Sequence, residues 1–198
     1  MVSDTTRRLM LMRHAKADWP DVADQRRPLA KRGRNDAPVI GRWLREHGYL
    51  PDVVVCSSAR RTRQTWELVA PELGGSPKVT FDDRAYDAGE MTLLYLAREL
   101  PASCRAGLLV GHNPAISDLA ASLPQPSAGD AAGDAANPLA GVRFPTAAVA
   151  VLEFAGDWAD LAPGGARLLD FAAPVRGKNP FAGMAKRPLR VTKTVTTL

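Results

Sequence analysis

Leu9-Met10-Leu11-Met12-Arg13-His14 is a run of four apolar residues that stops abruptly at two polar ones. So short an unbroken run predicts a strand buried on both faces whose carboxyl end delivers polar groups. The pattern recurs. Val53 to Cys56 runs into Ser57-Ser58, and Gly107 to Val110 runs into Gly111-His112. Helical periodicity fills the intervals. Ile40, Trp43, Leu44 and His47 share one face of a stretch from Leu29 to His47, in which Pro38 predicts a helix start or a kink and Gly48 a stop. Trp66, Val69, Ala70 and Leu73 share a face of Arg60 to Leu73, which Gly74-Gly75 ends. Lys78 to Phe81 is expected at a sheet edge, Met91 to Leu100 as a helix, and Asn113-Pro114 opens a helix through Leu123. Ala147 to Phe154 and Arg167 to Phe171 are the last expected strands. Strands alternating with helices predict an α/β fold, a three-layer α/β/α sandwich around a mainly parallel central sheet.

Length and composition agree with one such domain. The chain has 198 residues, 45% hydrophobic and 24% charged, and can bury a core without staples. Of 26 basic and 21 acidic residues, six basic and no acidic ones lie from Arg176 onward, so residues 1–175 carry one net negative charge. The domain is therefore placed at 1–175 and a basic tail at 176–198. A near-neutral body argues against a nucleic-acid partner. Pro124 to Val142, rich in Ala, Gly, Asp and Pro, is expected to be a surface loop (loop 124–142). No apolar stretch approaches a membrane span, and Met1 to Met12 does not read as a secretory signal. Cys56 and Cys104 suit neither a disulfide framework nor a zinc site, and are read as buried thiols of a cytoplasmic protein.

In a parallel sheet of this kind the ligand crevice lies beyond the carboxyl ends of the strands. Three segments are thus predicted to converge there, bringing His14, His112, Arg13 and the arginines around Arg61 to one place without a carboxylate cluster. Arginine forks match phosphate oxygens and stay charged when partly buried. A histidine between them can attack phosphorus, and a second, protonated one can stabilise the charged transition state. Such a site needs neither a metal nor a cofactor, and the sequence contains no Walker-type phosphate loop.

These residues also resemble a family. Leu11-Met12-Arg13-His14-Ala15-Lys16 resembles the signature of the histidine phosphatase superfamily, usually Arg-His-Gly. Ser57 to Thr65, with Arg61 ahead of Gln64-Thr65, resembles its second motif, and Val110-Gly111-His112-Asn113-Pro114 its third. Arg-His-Ala-Lys, Arg27-Pro28-Leu29 with Arg32-Gly33, and Phe144-Pro145-Thr146 are similar to the SixA-type branch, the phosphohistidine phosphatases. The resemblance implies a phosphoglycerate mutase-like fold, with His14 as nucleophile and Arg13, Arg61 and His112 as phosphate clamp. It leaves Arg60 as a flanking charge. Pro20, where mutase-like members carry a phosphate-binding Asn, weakens a mutase reading.

The acid that protonates the leaving group in larger members has only Asp87 and Glu90 as positional candidates, and both are read as loop carboxylates. His47 is read as structural, and Trp43 and Trp66 as core. The function implied is a metal-independent phosphatase acting on a phosphorylated histidine-containing protein. A phosphomonoesterase of a small phosphate ester and a catalytically weak phosphate-binding protein are the alternatives.

Overall fold

A computed structural model describes residues 5–125, 139 and 143–174. Its strands are β1 (Thr6–Arg13), β2 (Val53–Ser57), β3 (Lys78–Asp82), β4 (Ala106–Gly111), β5 (Val149–Ala155) and β6 (Arg167–Ala172). Its helices are α1 (Lys31–Glu46), α2 (Arg60–Leu73), α3 (Glu90–Arg98) and α4 (Ala115–Ser122), with a short 3-10 turn at Asp24–Arg26. The strands form one sheet in the order β3-β2-β4-β1-β5-β6. β1–β4, β2–β4 and β2–β3 are parallel, whereas β1–β5 and β5–β6 are antiparallel. β3 lies at the edge, as expected for Lys78 to Phe81, and is largely exposed.

Alternation along β1 builds both cores. Leu9 and Leu11 face a layer with Leu93, Leu94, Ile116 and Leu119 of α3 and α4. Met10 and Met12 face Ile40, Trp43, Leu44, Trp66 and Val69 of α1 and α2. All four β1 side chains are wholly buried, each worth about 1.5–3 kcal/mol on leaving water. The two helix layers on one sheet make the three-layer sandwich. Gly41 lets α1 approach α2, since a methyl there would lie 2.7 Å from the Val69 carbonyl. No helix among the described residues is long and apolar enough to cross a membrane.

Several boundaries differ from the sequence expectation. Helix α1 starts at Lys31 and runs through Pro38 rather than starting or breaking there. Buried residues lie on both sides of the proline, at Gly33, Ala37, Ile40 and Leu44, so packing outweighs the lost amide. Leu29 instead bridges Ala17 ahead of the helix. At the other end the amides of Gly48 and Tyr49 donate to the carbonyls of Arg45 and Leu44, at 3.1 and 2.8 Å. Gly48 takes the left-handed φ of 71° that this reversal needs.

Strand β5 starts at Val149, not Ala147. Ala147 has a φ of 63°, and its amide donates to the Arg13 and His14 carbonyls, at 3.2 and 3.1 Å. A left-handed alanine costs about 1–2 kcal/mol, and here it locks the end of β1. Pro124, placed at the start of the expected loop, bridges Ala166. The Gln125 amide donates to the Ala166 carbonyl at 2.7 Å. The rest of that loop, except buried Leu139, and the basic tail 176–198 lie outside the described residues.

Candidate active site

The sheet order puts β4 between β1 and β2, so His112, just past β4, stands between His14 and the start of α2. The His14 amide donates to the Gly111 carbonyl at 3.0 Å. The two imidazole rings lie 5.2 Å apart. Arg61, in the first turn of α2, is buried and its Nε donates to His112 Nδ1 at 3.3 Å. Consecutive helix positions diverge by about 100°, so Arg60 points outward and is exposed. Arg13 ends β1 and donates from Nη1 to the Phe144 carbonyl at 2.8 Å. Its Nε is buried without a partner. The same carbonyl accepts from Asn113 Nδ2 at 3.2 Å, so Phe144 ties the first and third motifs together.

Hydrogen bonds assign the tautomers. His14 Nδ1 lies 2.7 Å from the Ala15 carbonyl. A carbonyl only accepts, so Nδ1 carries the proton and Nε2 keeps its lone pair. His112 Nδ1 accepts from Arg61, which leaves the proton on Nε2 to donate to Ser57 Oγ at 2.8 Å.

Both rings are neutral in the free protein. Burial lowers the His14 pKa to about 3, with His112, Arg61 and Arg13 adding to the fall against the bond to Ala15. Burial and the charges of Arg61 and Arg13 lower His112 to about 4, against the opposing carboxylate of Asp24. In the free site a guanidinium already donates to the nitrogen of His112 that a second proton would occupy. Burial also lowers the pKa of Arg13, as does the charge of Arg143.

The second motif has a positioning role. Thr65 Oγ1 accepts from the Ala15 amide at 3.0 Å and donates to the Arg61 carbonyl at 2.6 Å. Gln64 Oε1 accepts from the Leu29 amide at 2.8 Å. Gln64-Thr65 thus fastens the chain that follows His14 to the helix that carries Arg61.

Three contacting groups escaped the sequence reading. Ser57 orients His112. Asp24 accepts from Arg61 Nη2 at 3.0 Å and from Arg27 Nη1 at 2.9 Å. Tyr86 donates to Asp24 at 2.9 Å and sets its ring edge-on to His112, 5.7 Å away. Arg27, followed by Tyr86 and Arg61, holds the Asp24 pKa at about 2 despite some desolvation. Ser57 follows a buried run at the converging edge, a signal that was available. Asp24 carried no local signal, since it sits in a polar loop.

Asp87 and Glu90 make no hydrogen bond or ion pair with His14, His112, Arg13 or Arg61, so the carboxylate that touches the clamp is that of Asp24. His47 is a packing residue, stacked on Trp43 at 4.4 Å and donating to its carbonyl at 2.8 Å. Burial pushes the thiols of Cys56 and Cys104 up to about 12 and about 11. Among the described residues no three of His, Cys, Asp and Glu are grouped to hold a metal ion.

The buried imidazoles predict a pH dependence of stability. Below its ordinary value of 6.5 each ring binds more protons in the unfolded chain than in the native one. Stability is then complete above about pH 6.5 and falls as the pH drops toward 4. Asp24 acts in the same direction but in a lower window, from 3.8 toward 2. Thermal unfolding followed by circular dichroism is expected to give a Tm that declines from pH 6.5 to pH 4 in the wild type, and less steeply in H112Q. A slope unchanged in H112Q would show that His112 is protonated in the native state.

The model of the histidine phosphatase superfamily (branch 1) matches residues 9–102. An uncharacterized protein of Mycobacterium tuberculosis is 40% identical over 164 residues, spanning 82% of this chain and 99% of its own. The solved structure of a candidate phosphohistidine phosphatase SixA from Nakamurella multipartitia superposes with a TM-score of 0.75 at 38% identity, covering 86% of this chain and 97% of that one. Another such candidate, from Agrobacterium tumefaciens, gives a TM-score of 0.69 at 30% identity, covering 85% and 98%. Two of these relatives match by sequence and fold along nearly their whole length, and the third by sequence alone, so this chain belongs to the histidine phosphatase superfamily and is of the SixA type.

Proposed function

We propose that the protein hydrolyses phosphohistidine on a protein substrate, without a metal, through a phosphorylated His14. One observation carries the reading: His14 presents an unprotonated Nε2, its Nδ1 proton tied to Ala15, beside Arg61 and His112. The Nε2 lone pair attacks phosphorus, and the phosphorus–nitrogen bond to the substrate imidazole breaks. That ring, protonated at its other nitrogen beforehand, departs as neutral imidazole. Water then attacks the phosphorus of phospho-His14, releasing inorganic phosphate and restoring Nε2. Arg13 and Arg61 counter the oxygens' charge, and His112 donates from Nε2 if it turns from Ser57 toward the phosphoryl group. The phosphate dianion opposes the cationic field that, after burial, keeps His112 neutral, and so favours its protonation on binding.

A phosphohistidine leaves readily and asks little of a general acid, whereas an alkyl ester depends on one for about 10²–10⁴ in rate. The carboxylate present, Asp24, is held ionised and cannot donate a proton. Substrate access agrees with a protein. Between α2 and β4 the chain forms only β3, a short turn and α3, and both histidines remain partly accessible.

The direct test offers the protein a phosphorylated histidine-containing protein and a panel of small phosphate esters, all in excess chelator, and measures phosphate release. Release from the phosphoprotein at an undiminished rate in chelator is expected. Activity lost in chelator and restored by Mg²⁺ or Zn²⁺ would refute the mechanism, and preference for an alkyl ester would refute the substrate.

A further inference from the structure

Beside the candidate active site an open groove of about 470 Å³ is walled by Gln25, Arg26, Ser58, Arg60, Arg63 and Glu67. The turn Asp24–Arg26 divides it from the clamp. Asp24 faces Arg61, while Gln25 reaches across to Ser58 Oγ at 3.2 Å. Arg60 and Arg63, three residues apart on α2, share the outer face of that helix. The arginines around the clamp differ in one respect. Arg27 and Arg61 are paired to Asp24. Arg26, Arg60 and Arg63 are exposed and take part in no ion pair among the described residues.

Three uncommitted guanidinium groups thus share one groove with one carboxylate, Glu67, in a body that is otherwise slightly acidic. Arg63 is also held in place, 4.6 Å over the partly exposed ring of Phe81. A second exposed aromatic ring touches Arg27, the chain neighbour of Arg26. Trp19 is 76% exposed and stacks on Arg27, 3.2 Å from its guanidinium carbon. Arginine interleaved with accessible aromatic rings is the composition of a protein-docking surface rather than of a closed small-molecule pocket.

We infer that this groove docks acidic side chains flanking the phosphohistidine of the protein substrate, so that Arg26, Arg60 and Arg63 select the substrate while Arg13, Arg61 and the two histidines act on its phosphate. The inference rests on the protein-phosphohistidine reading given above. Charge pairing of this kind lowers KM, leaves kcat aside and fades as salt rises.

The test uses two synthetic phosphohistidine peptides of equal length, one with aspartates on both sides of the phosphohistidine and one with serines. Wild-type protein is expected to show about a tenfold lower KM for the acidic peptide at low ionic strength, as a few exposed charge pairs would supply. In R60A/R63A the two KM values are expected to meet, and R60K/R63K should retain part of the preference. If neither peptide is turned over, the phosphohistidine reading falls, and this inference with it. If both are turned over with equal KM, this inference alone falls. It also falls if a small ester bearing a second phosphate depends on Arg60 and Arg63 while the peptides do not, which would give the groove to a metabolite.

Discussion

Replacing His14 with alanine is expected to lower kcat/KM by at least about 10⁴-fold, by analogy with the loss of a nucleophile from a unit of residues that act together. The expectation follows from geometry and charge. His14 Nε2 is unprotonated at neutral pH, because burial holds the ring's pKa at about 3. Its orientation is fixed from three sides. The Nδ1 proton is bound to the Ala15 carbonyl, the backbone amide to Gly111, and the Ala15 amide to Thr65. No second imidazole can replace it. His112 is turned with its lone pair toward Arg61 and its proton toward Ser57. Rapid mixing with labelled substrate and an alkaline quench should leave label on wild-type protein, acid-labile and localised to His14. H14A should carry none. Appreciable turnover by H14A, or label at His112, would overturn the assignment.

Arg61→Ala is expected to cost about 30- to 1000-fold in kcat/KM on a small chromogenic ester, the loss of about 2–4 kcal/mol of transition-state stabilisation. Arg60→Ala should cost less than about tenfold on the same ester, as exposed charges do. The two residues are neighbours in the chain and opposites in the fold. Arg61 is 7% exposed and bonds both His112 and the Asp24 carbonyl, the latter at 2.8 Å. Arg61→Ala removes the donor from His112 Nδ1 and also one of the cations that lower its pKa. The variant's His112 should therefore titrate at a higher pH than the wild type's, which a histidine NMR titration reads separately from the rate. Equal losses at the two positions, or a larger loss at Arg60, would mean that the clamp is built from the outer face of α2.

What could be read from the chain was local. An unbroken apolar run means burial on both faces, a 3.6-residue period means a helix, and glycine after such a period means a stop. These rules placed the six strands and four helices of the described residues. They also put His14 and His112 at the same sheet edge, because the carboxyl ends of parallel strands must lie together. The choice of Arg61 over Arg60 had a different source, the resemblance of its spacing to Gln64-Thr65. Pro38 misled because its local cost is smaller than the packing of the buried stripe on either side of it.

The protonation of the site belonged to tertiary structure alone. A pKa sums burial and the fields of every neighbour, and the neighbours of His112 come from β1, β2, α2 and two loops. The same holds for Asp24 and Tyr86, which meet although 62 residues separate them. Their contact depends on how one loop crosses the edge of a sheet, which no pattern within either segment encodes. The basic groove arises likewise, from one arginine of a loop and two of a helix. The sequence by itself determined the order of the elements and the edge where chemistry collects, since both follow from the chain's own periodicity. Only the tertiary structure decided which charges are paired, which are left for a substrate and which nitrogen holds each proton, since those depend on distances across segments remote in the chain.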